Sequence, residues 1–266
     1  MSLNEQYAFP TAEESDAYFN DLPVIERAEH KFARRALVLT EAPEAKIDAD
    51  SIAEVNKDAP AIIAFADGVS AENREAVMLG VEFAETVANS KADINKDSVK
   101  WLESYAEAFK YAGWLTTGGN RYGEYTSTNV NLTMDSVVLE LISAVAGTNA
   151  QIVIRLLNIV MEKVQKNKPM MELFDRNRKS GTASTFRIMP CLESSQGIPV
   201  TYLLAIHCES STDSGGALFW KWSVSKLKIK HLAKGVDFNQ GTHDRNKQRI
   251  VDYLGKNADD FFESLK

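Results

Sequence analysis

Residues 135–166, DSVVLELISAVAGTNAQIVIRLLNIVMEKVQK, are the most apolar part of the chain. Such a stretch either crosses a bilayer or forms a core on which the remaining elements pack. A spanning helix wants about 20 predominantly apolar residues, whereas this segment carries Glu140, Asn149, Gln151, Arg155 and Asn158. Gly147-Thr148-Asn149 interrupts it where one helix can stop and another start. We read it as a buried helical hairpin. A hairpin that inserts into bilayers in the manner of a toxin is the rival reading of 135–166.

Helices are expected upstream of the hairpin. Thr11 with Glu14 three residues later is a capping-box pattern, and a second helix is predicted from Pro23 to Leu39. Residues 43–60 are polar and proline-bounded, as in a connector with one short helix. Ser70 can cap a helix with Val77, Val81, Ala84 and Ala88 on one face. Asp97 can cap another, with Trp101, Tyr105, Ala108 and Ala112 as its stripe and Gly113 as its end. The segment LTTGGNRYGEYTSTNVNLT then reads as a loop leading into extended chain near Tyr125 to Thr133. Its Gly118, Gly119 and Gly123 lack the Lys-Ser/Thr of a P-loop and the frame of a dinucleotide fingerprint, so an ordinary turn explains them.

After Pro169 the periodicity changes. TFRIMPCLE, IPVTYLLAIHCES and ALFWKWSVSKLKIKHL read as three strands joined by turn-rich segments, an antiparallel meander. In the third, Leu218, Trp220, Trp222 and Val224 share one face, while Leu227 and Ile229 share the other, which predicts a bulge near Ser225. A terminal helix places Ile250, Leu254, Phe261 and Leu265 near one face. The expected fold is α/β of the α+β type: mainly helical, with a small antiparallel sheet formed by the C-terminal half and flanked by helices. One domain is expected over 1–266, helical to about 170, with the sheet and terminal helix from about 180.

A net charge of −7 disfavours a protein whose task is to neutralise nucleic-acid phosphates. The first residues lack the basic and apolar regions of a cleavable leader, so the expected location is cytoplasmic, with membrane association open. Lys221, Lys226, Lys228 and Lys230 interleave with Trp220 and Trp222, a pattern found at membrane interfaces and on nucleic-acid surfaces. On an acidic chain we read this as a solvated sheet face, with a membrane or vesicle surface as the alternative.

The chain has two cysteines, too few for a disulfide framework. Neither CxxC nor HExxH occurs, and the histidines have no ligand spacing, so no metal is expected. Cys208 ends the alternating series Tyr202, Leu204, Ile206, Cys208, which aims it at a core. Its neighbour His207 projects to the opposite face of the strand and cannot serve as its base. His30, His231 and His243 are the other candidates for a thiol hydrolase or acyltransferase. A small buried hydrophobe is the structural alternative for Cys208. The functional one is acylation: a thiol facing apolar helices can hold a thioester-linked chain, each buried methylene contributing about 0.8 kcal/mol. Leu204, Ile206, Val138, Ile142, Ile154 and Leu157 would line that chain. Cys191, after Pro190 and near a strand end, is the competing site, less steadily aimed inward.

The combination of helices around a small sheet, an apolar central hairpin and a strand cysteine in AIHCES resembles the Erwinia virulence factor (Evf) family. The resemblance implies a bacterial factor promoting persistence in the insect gut. It also implies a palmitoyl group thioester-linked to one cysteine, corresponding to Cys208, on a protein that associates with membranes or vesicles and is not an enzyme.

Overall fold

A computed structural model of the protein describes residues 8–24, 61–94, 96–117, 123–126, 133–166, 183–210 and 227–255. The helix expected at 23–39 and the connector at 43–60 lie outside the described residues. So do the bulge at Ser225, His30, Phe261 and Leu265.

Local sequence sets the helix ends as predicted. Helix α1, Ala12–Asn20, opens with a reciprocal capping box: the Thr11 hydroxyl accepts from the Glu14 amide at 3.2 Å, and the Glu14 carboxylate accepts from the Thr11 amide at 2.7 Å. Helix α2, Ala71–Lys91, starts at Ser70, whose hydroxyl accepts from the Asn73 amide, and buries Val77, Val81, Ala84 and Ala88. Helix α3, Ser98–Tyr111, starts at Asp97 and buries Trp101, Tyr105, Ala108 and Ala112. It stops at Gly113, where φ is +96° and a Cβ would lie 3.0 Å from the Asn239 carbonyl oxygen. Only glycine meets both conditions without strain.

The apolar segment forms two helices, α4 (Met134–Ala146) and α5 (Ala150–Lys166), joined by a 3₁₀ turn over Gly147–Asn149. Val137, Val138, Leu141 and Ile142 of α4 are buried, as are Val153, Leu156, Leu157 and Val160 of α5, at helical spacing. Met134–Lys163 is nevertheless long and apolar enough to cross a membrane, with mean hydropathy 1.7 in a window that is 33% buried. Each helix therefore keeps a flank outside the core, and Ile152 is among the exposed large apolar residues.

The predicted meander is β4 (Ala183–Glu193), β5 (Pro199–Ser210) and β6 (Leu227–Phe238), all antiparallel. The α+β class holds, and the sheet extends beyond the meander. β1 (Ala61–Phe65) joins parallel to β4, while β2 (Trp114–Thr116) and β3 (Gly123–Tyr125) pair antiparallel with β6. These added strands are three to five residues long, too short to carry a period-two signature of their own. β5 is interior, between β4 and β6, and Thr201 through Cys208 are all buried.

Registry across β4, β5 and β6 runs without a slip, so side chains alternate strictly between two faces. One face meets α2 and α3: Arg187 of β4 reaches Glu85 of α2, and the Tyr105 hydroxyl of α3 lies 3.6 Å from the Met189 sulfur. The other meets α4 and α5. The terminal helix α6, Gln240–Tyr253, is capped by Asn239 and buries Ile250. His243 and Asn246 tie it to the end of α3 through the carbonyls of Ala112 and Tyr111. Glu193, at the end of β4, accepts from the amide and hydroxyl of Ser70, joining the β4–β5 hairpin to the start of α2.

Candidate acyl-attachment site

Cys208 lies on the α4/α5 face of β5 and is 2% exposed. Its register row is Tyr125 of β3, Ile229 of β6, Cys208, and Ser184 of β4. The next row on the same face is Gly123, His231, Ile206 and Phe186. Leu204 and Ile206 are fully buried, as are Val138 and Ile142 on α4 and Leu157 on α5. Ile154 is only half-buried, which makes it the weakest of the expected lining positions.

Three hydrogen bonds set α4 and its following turn along this face. At one end the Tyr202 hydroxyl donates to the Ala146 carbonyl at 3.3 Å and accepts from the Asn149 amide nitrogen at 2.9 Å. Toward the other, the Tyr125 hydroxyl donates to Glu140 at 2.6 Å. Tyr125 belongs to the Cys208 row, so the turn of α4 bearing Glu140 reaches the level of the thiol. Between these polar ties the strand presents Leu204, Ile206 and Cys208. Burial pushes the Cys208 thiol well above its ordinary pKa, so the sulfur rests as a neutral thiol.

Cys191 requires a correction. It does lie near a strand end, two residues before β4 stops at Glu193, but it is 1% exposed and so aimed steadily inward rather than poorly. Pairing with Thr201 places it on the α2/α3 face, opposite Cys208. Its sulfur lies 3.1 Å from the Thr201 hydroxyl. Burial raises its pKa to about 12, against a lowering by that hydroxyl. The proline before it did not turn it outward: the β4–β5 register is the same on both sides of Pro190.

The histidines separate by face. His207 is on the α2/α3 side, with Nδ1 2.8 Å from the Thr185 hydroxyl, as alternation from Cys208 demands. His243 is committed to Ala112 on that side as well. His231 shares the face of Cys208, one row away on the adjoining strand. Parity within β6 would pair it with Ile229, but the cross-strand register that relates it to Cys208 is not written in either segment alone. Among the described residues no three His, Cys, Asp or Glu side chains group closely enough to hold a metal ion.

Lys228 and Lys230 are exposed on β6, consistent with a solvated face there. Trp220, Trp222 and Lys226 lie outside the described residues. The buried pair Glu85–Arg187 had no sequence signal, since its members stand 102 positions apart.

No family model matches the chain, and no curated protein matches it in sequence. Among solved structures it aligns with the "Structure of the Evf virulence factor" at 12% identity and a TM-score of 0.44, over 95% of this chain and 90% of that one.

Proposed function

We propose that the protein is a non-enzymatic lipid-carrying factor, with one fatty acyl chain, palmitoyl by the resemblance, held as a thioester on Cys208. The observation that carries the reading is the placement of this thiol on an interior strand, facing the α4–α5 hairpin. The chain would run along Leu204 and Ile206 beneath Val138, Ile142 and Leu157, with Ile154 at its margin. A buried thioester is shielded from water and keeps its acyl group. A thiol held neutral by burial is poorly suited to repeated turnover as a hydrolase.

A single acyl chain gives only marginal membrane binding. The apolar flank of α4 and α5 supplies the second attachment when the hairpin lifts and presents the chain to a bilayer. Promotion of virulence, including persistence in the insect gut, is the biological role this reading extends to. Intact mass of protein purified from a bacterial host, before and after neutral hydroxylamine, tests the chemistry. Wild type and Cys191→Ser should carry one hydroxylamine-labile acyl group, and Cys208→Ser none. An unmodified wild type sinks the proposal, and label lost only in Cys191→Ser moves the site to the other face.

The apolar hairpin also supports a second reading, direct bilayer insertion of Met134–Lys163. Leakage of liposome contents that persists undiminished in Cys208→Ala would favour insertion over lipid carriage.

A further inference from the structure

His231 stands one row from Cys208 on the adjoining strand, with its ring edge-to-face with Tyr125. The pair Ile206–His231 is the same-face neighbour of Cys208–Ile229, which makes His231 the diagonal neighbour of the thiol across β5 and β6. Diagonal positions on adjacent antiparallel strands are about 7–8 Å apart at Cα, closer at Cβ, within reach of an aromatic side chain. The imidazole now rests against Gly123, where an added Cβ would stand 3.3 Å from Nε2, so the missing side chain there is what gives the ring room. Its Nδ1 is buried and has no hydrogen-bond partner among the described residues. A buried ring nitrogen left without a partner costs stability and calls for a reason. On the opposite face of the sheet, His207 lies against Thr185 and Cys191 against Thr201, while Glu85 Oε2 is likewise without a partner among the described residues.

We infer that His231 is the proton acceptor for acylation of Cys208, so that the protein loads itself from a fatty acyl thioester. This rests on the reading of Cys208 as the acylated residue. A change of rotamer turns the imidazole from the Gly123 side toward β5. His231 then takes the thiol proton as Cys208 Sγ attacks the donor's carbonyl carbon. The new S–C bond forms, the donor's C–S bond breaks, and the departing thiolate leaves with the proton from the imidazolium. Nothing is oxidised or reduced, and no net proton is released. The acyl group stays in the apolar face, so the reaction occurs once per molecule.

The charged and titratable groups around His231 are Lys234 on its own strand, Tyr125 on β3 in edge-to-face contact, Glu140 on α4 bonded to Tyr125, and Cys208 on β5. Burial, with Lys234, holds the imidazole below its ordinary pKa and therefore neutral at pH 7, ready to accept a proton.

The test uses full-length protein stripped with hydroxylamine, then incubated with palmitoyl-coenzyme A or palmitoyl acyl carrier protein. The mass gain is followed over time from pH 6 to 9. Wild type should load from at least one donor, with a rate that levels above the pKa of His231. His231→Gln should load about 100-fold or more slowly at pH 7. Its rate should then climb about tenfold per pH unit with the thiolate fraction, narrowing the gap. His231→Asn gives the same comparison should the glutamine variant melt below the wild-type range. A His231 variant that loads at the wild-type rate, or parallels wild type at every pH, overturns the inference. So does a stripped wild type that takes label from neither donor although it arrives acylated from cells; that result leaves the Cys208 reading standing. Protein that arrives unacylated from cells removes the underlying reading instead.

Discussion

The two faces of the sheet handle polar groups in different ways. On the α2/α3 face, Arg187 pairs with Glu85 and lies 4.8 Å from the Trp101 ring and 4.9 Å from the Tyr105 ring. His207 and Cys191 each have a hydroxyl within hydrogen-bond distance. On the α4/α5 face, polar ties sit at Tyr202 and Tyr125, and the strand between them is apolar up to Cys208. Paired charges and hydrogen bonds in a low dielectric hold one arrangement of layers, although the Glu85 Oε2 atom has no partner among the described residues. Between the Tyr202 and Tyr125 ties this face has no such directional locks, so fewer polar contacts oppose its parting. The difference suggests one face fixed for the fold and one left free to take a guest.

Breaking the ion pair tests the first half of that contrast and should give the largest effect. Glu85→Ala or Arg187→Ala leaves its partner buried without a counter-charge, at a cost of about 3–5 kcal/mol. Urea unfolding of each single variant, and of Glu85→Leu/Arg187→Met, measures it. The double variant should recover most of the loss. Single variants that cost under about 1 kcal/mol would show that this face is not locked by the pair.

The same pair has a pH signature. Burial raises the Glu85 carboxyl to about 7, against the opposing pull of Arg187. The guanidinium moves the other way in charge terms: burial disfavours its charge, but Glu85 and Tyr105 offset that and its net shift is upward. Arg187 therefore stays charged and Glu85 is the member that titrates. Between the ordinary carboxyl value and about 7 the folded chain binds a proton that the unfolded chain has released. This group's contribution is full below that window and is lost as pH rises through it. Glu85→Gln should flatten that part of the stability–pH curve; an identical curve in the variant would remove Glu85 as its source.

The two cysteines compare the faces at one atom each. In hydroxylamine-treated protein, Cys191→Ser keeps a partner in Thr201 and should cost about 1 kcal/mol or less. Cys208→Ser puts a hydroxyl among Ile206 and Ile229 and should cost about 1–3 kcal/mol. Equal costs would mean that the new hydroxyl finds a partner on this face, His231 being the polar side chain one row away.

Much of this contrast was legible in the chain, and the reasons differ by element. Caps at Thr11, Ser70 and Asp97 are local, so a few residues suffice to specify them. The hairpin break at Gly147 and the alternation through Cys208 are local as well. The parallel entry of AIIAF beside β4 was not, because a short apolar run fits a strand or a core helix equally. Nor could alternation alone tell which face Cys191 would take relative to Cys208. That relation depends on the register of β4 against β5, set by the Ser194–Gly197 turn and its bonds. Glu85 and Arg187 read as ordinary surface charges until α2 is laid on the sheet.

The smallest expected effect decides which face meets a bilayer. Lys230 pairs with His207 in register, so it lies on the Arg187 side of the sheet and Lys228 shares that side. Both are exposed, and replacing both by Ala should change stability by no more than about 0.5 kcal/mol. Were that side the docking surface for anionic lipid, each lysine would contribute about 1 kcal/mol, and the double variant would bind phosphatidylserine vesicles roughly 30-fold more weakly. If the acyl chain proposed for Cys208 sits with the apolar hairpin on the opposite side, binding should change less than about threefold. Removing the acyl group with hydroxylamine should weaken it more than that. A vesicle sedimentation assay at one fixed salt concentration separates the two, because a large loss from the lysine variant would turn the molecule over on the membrane.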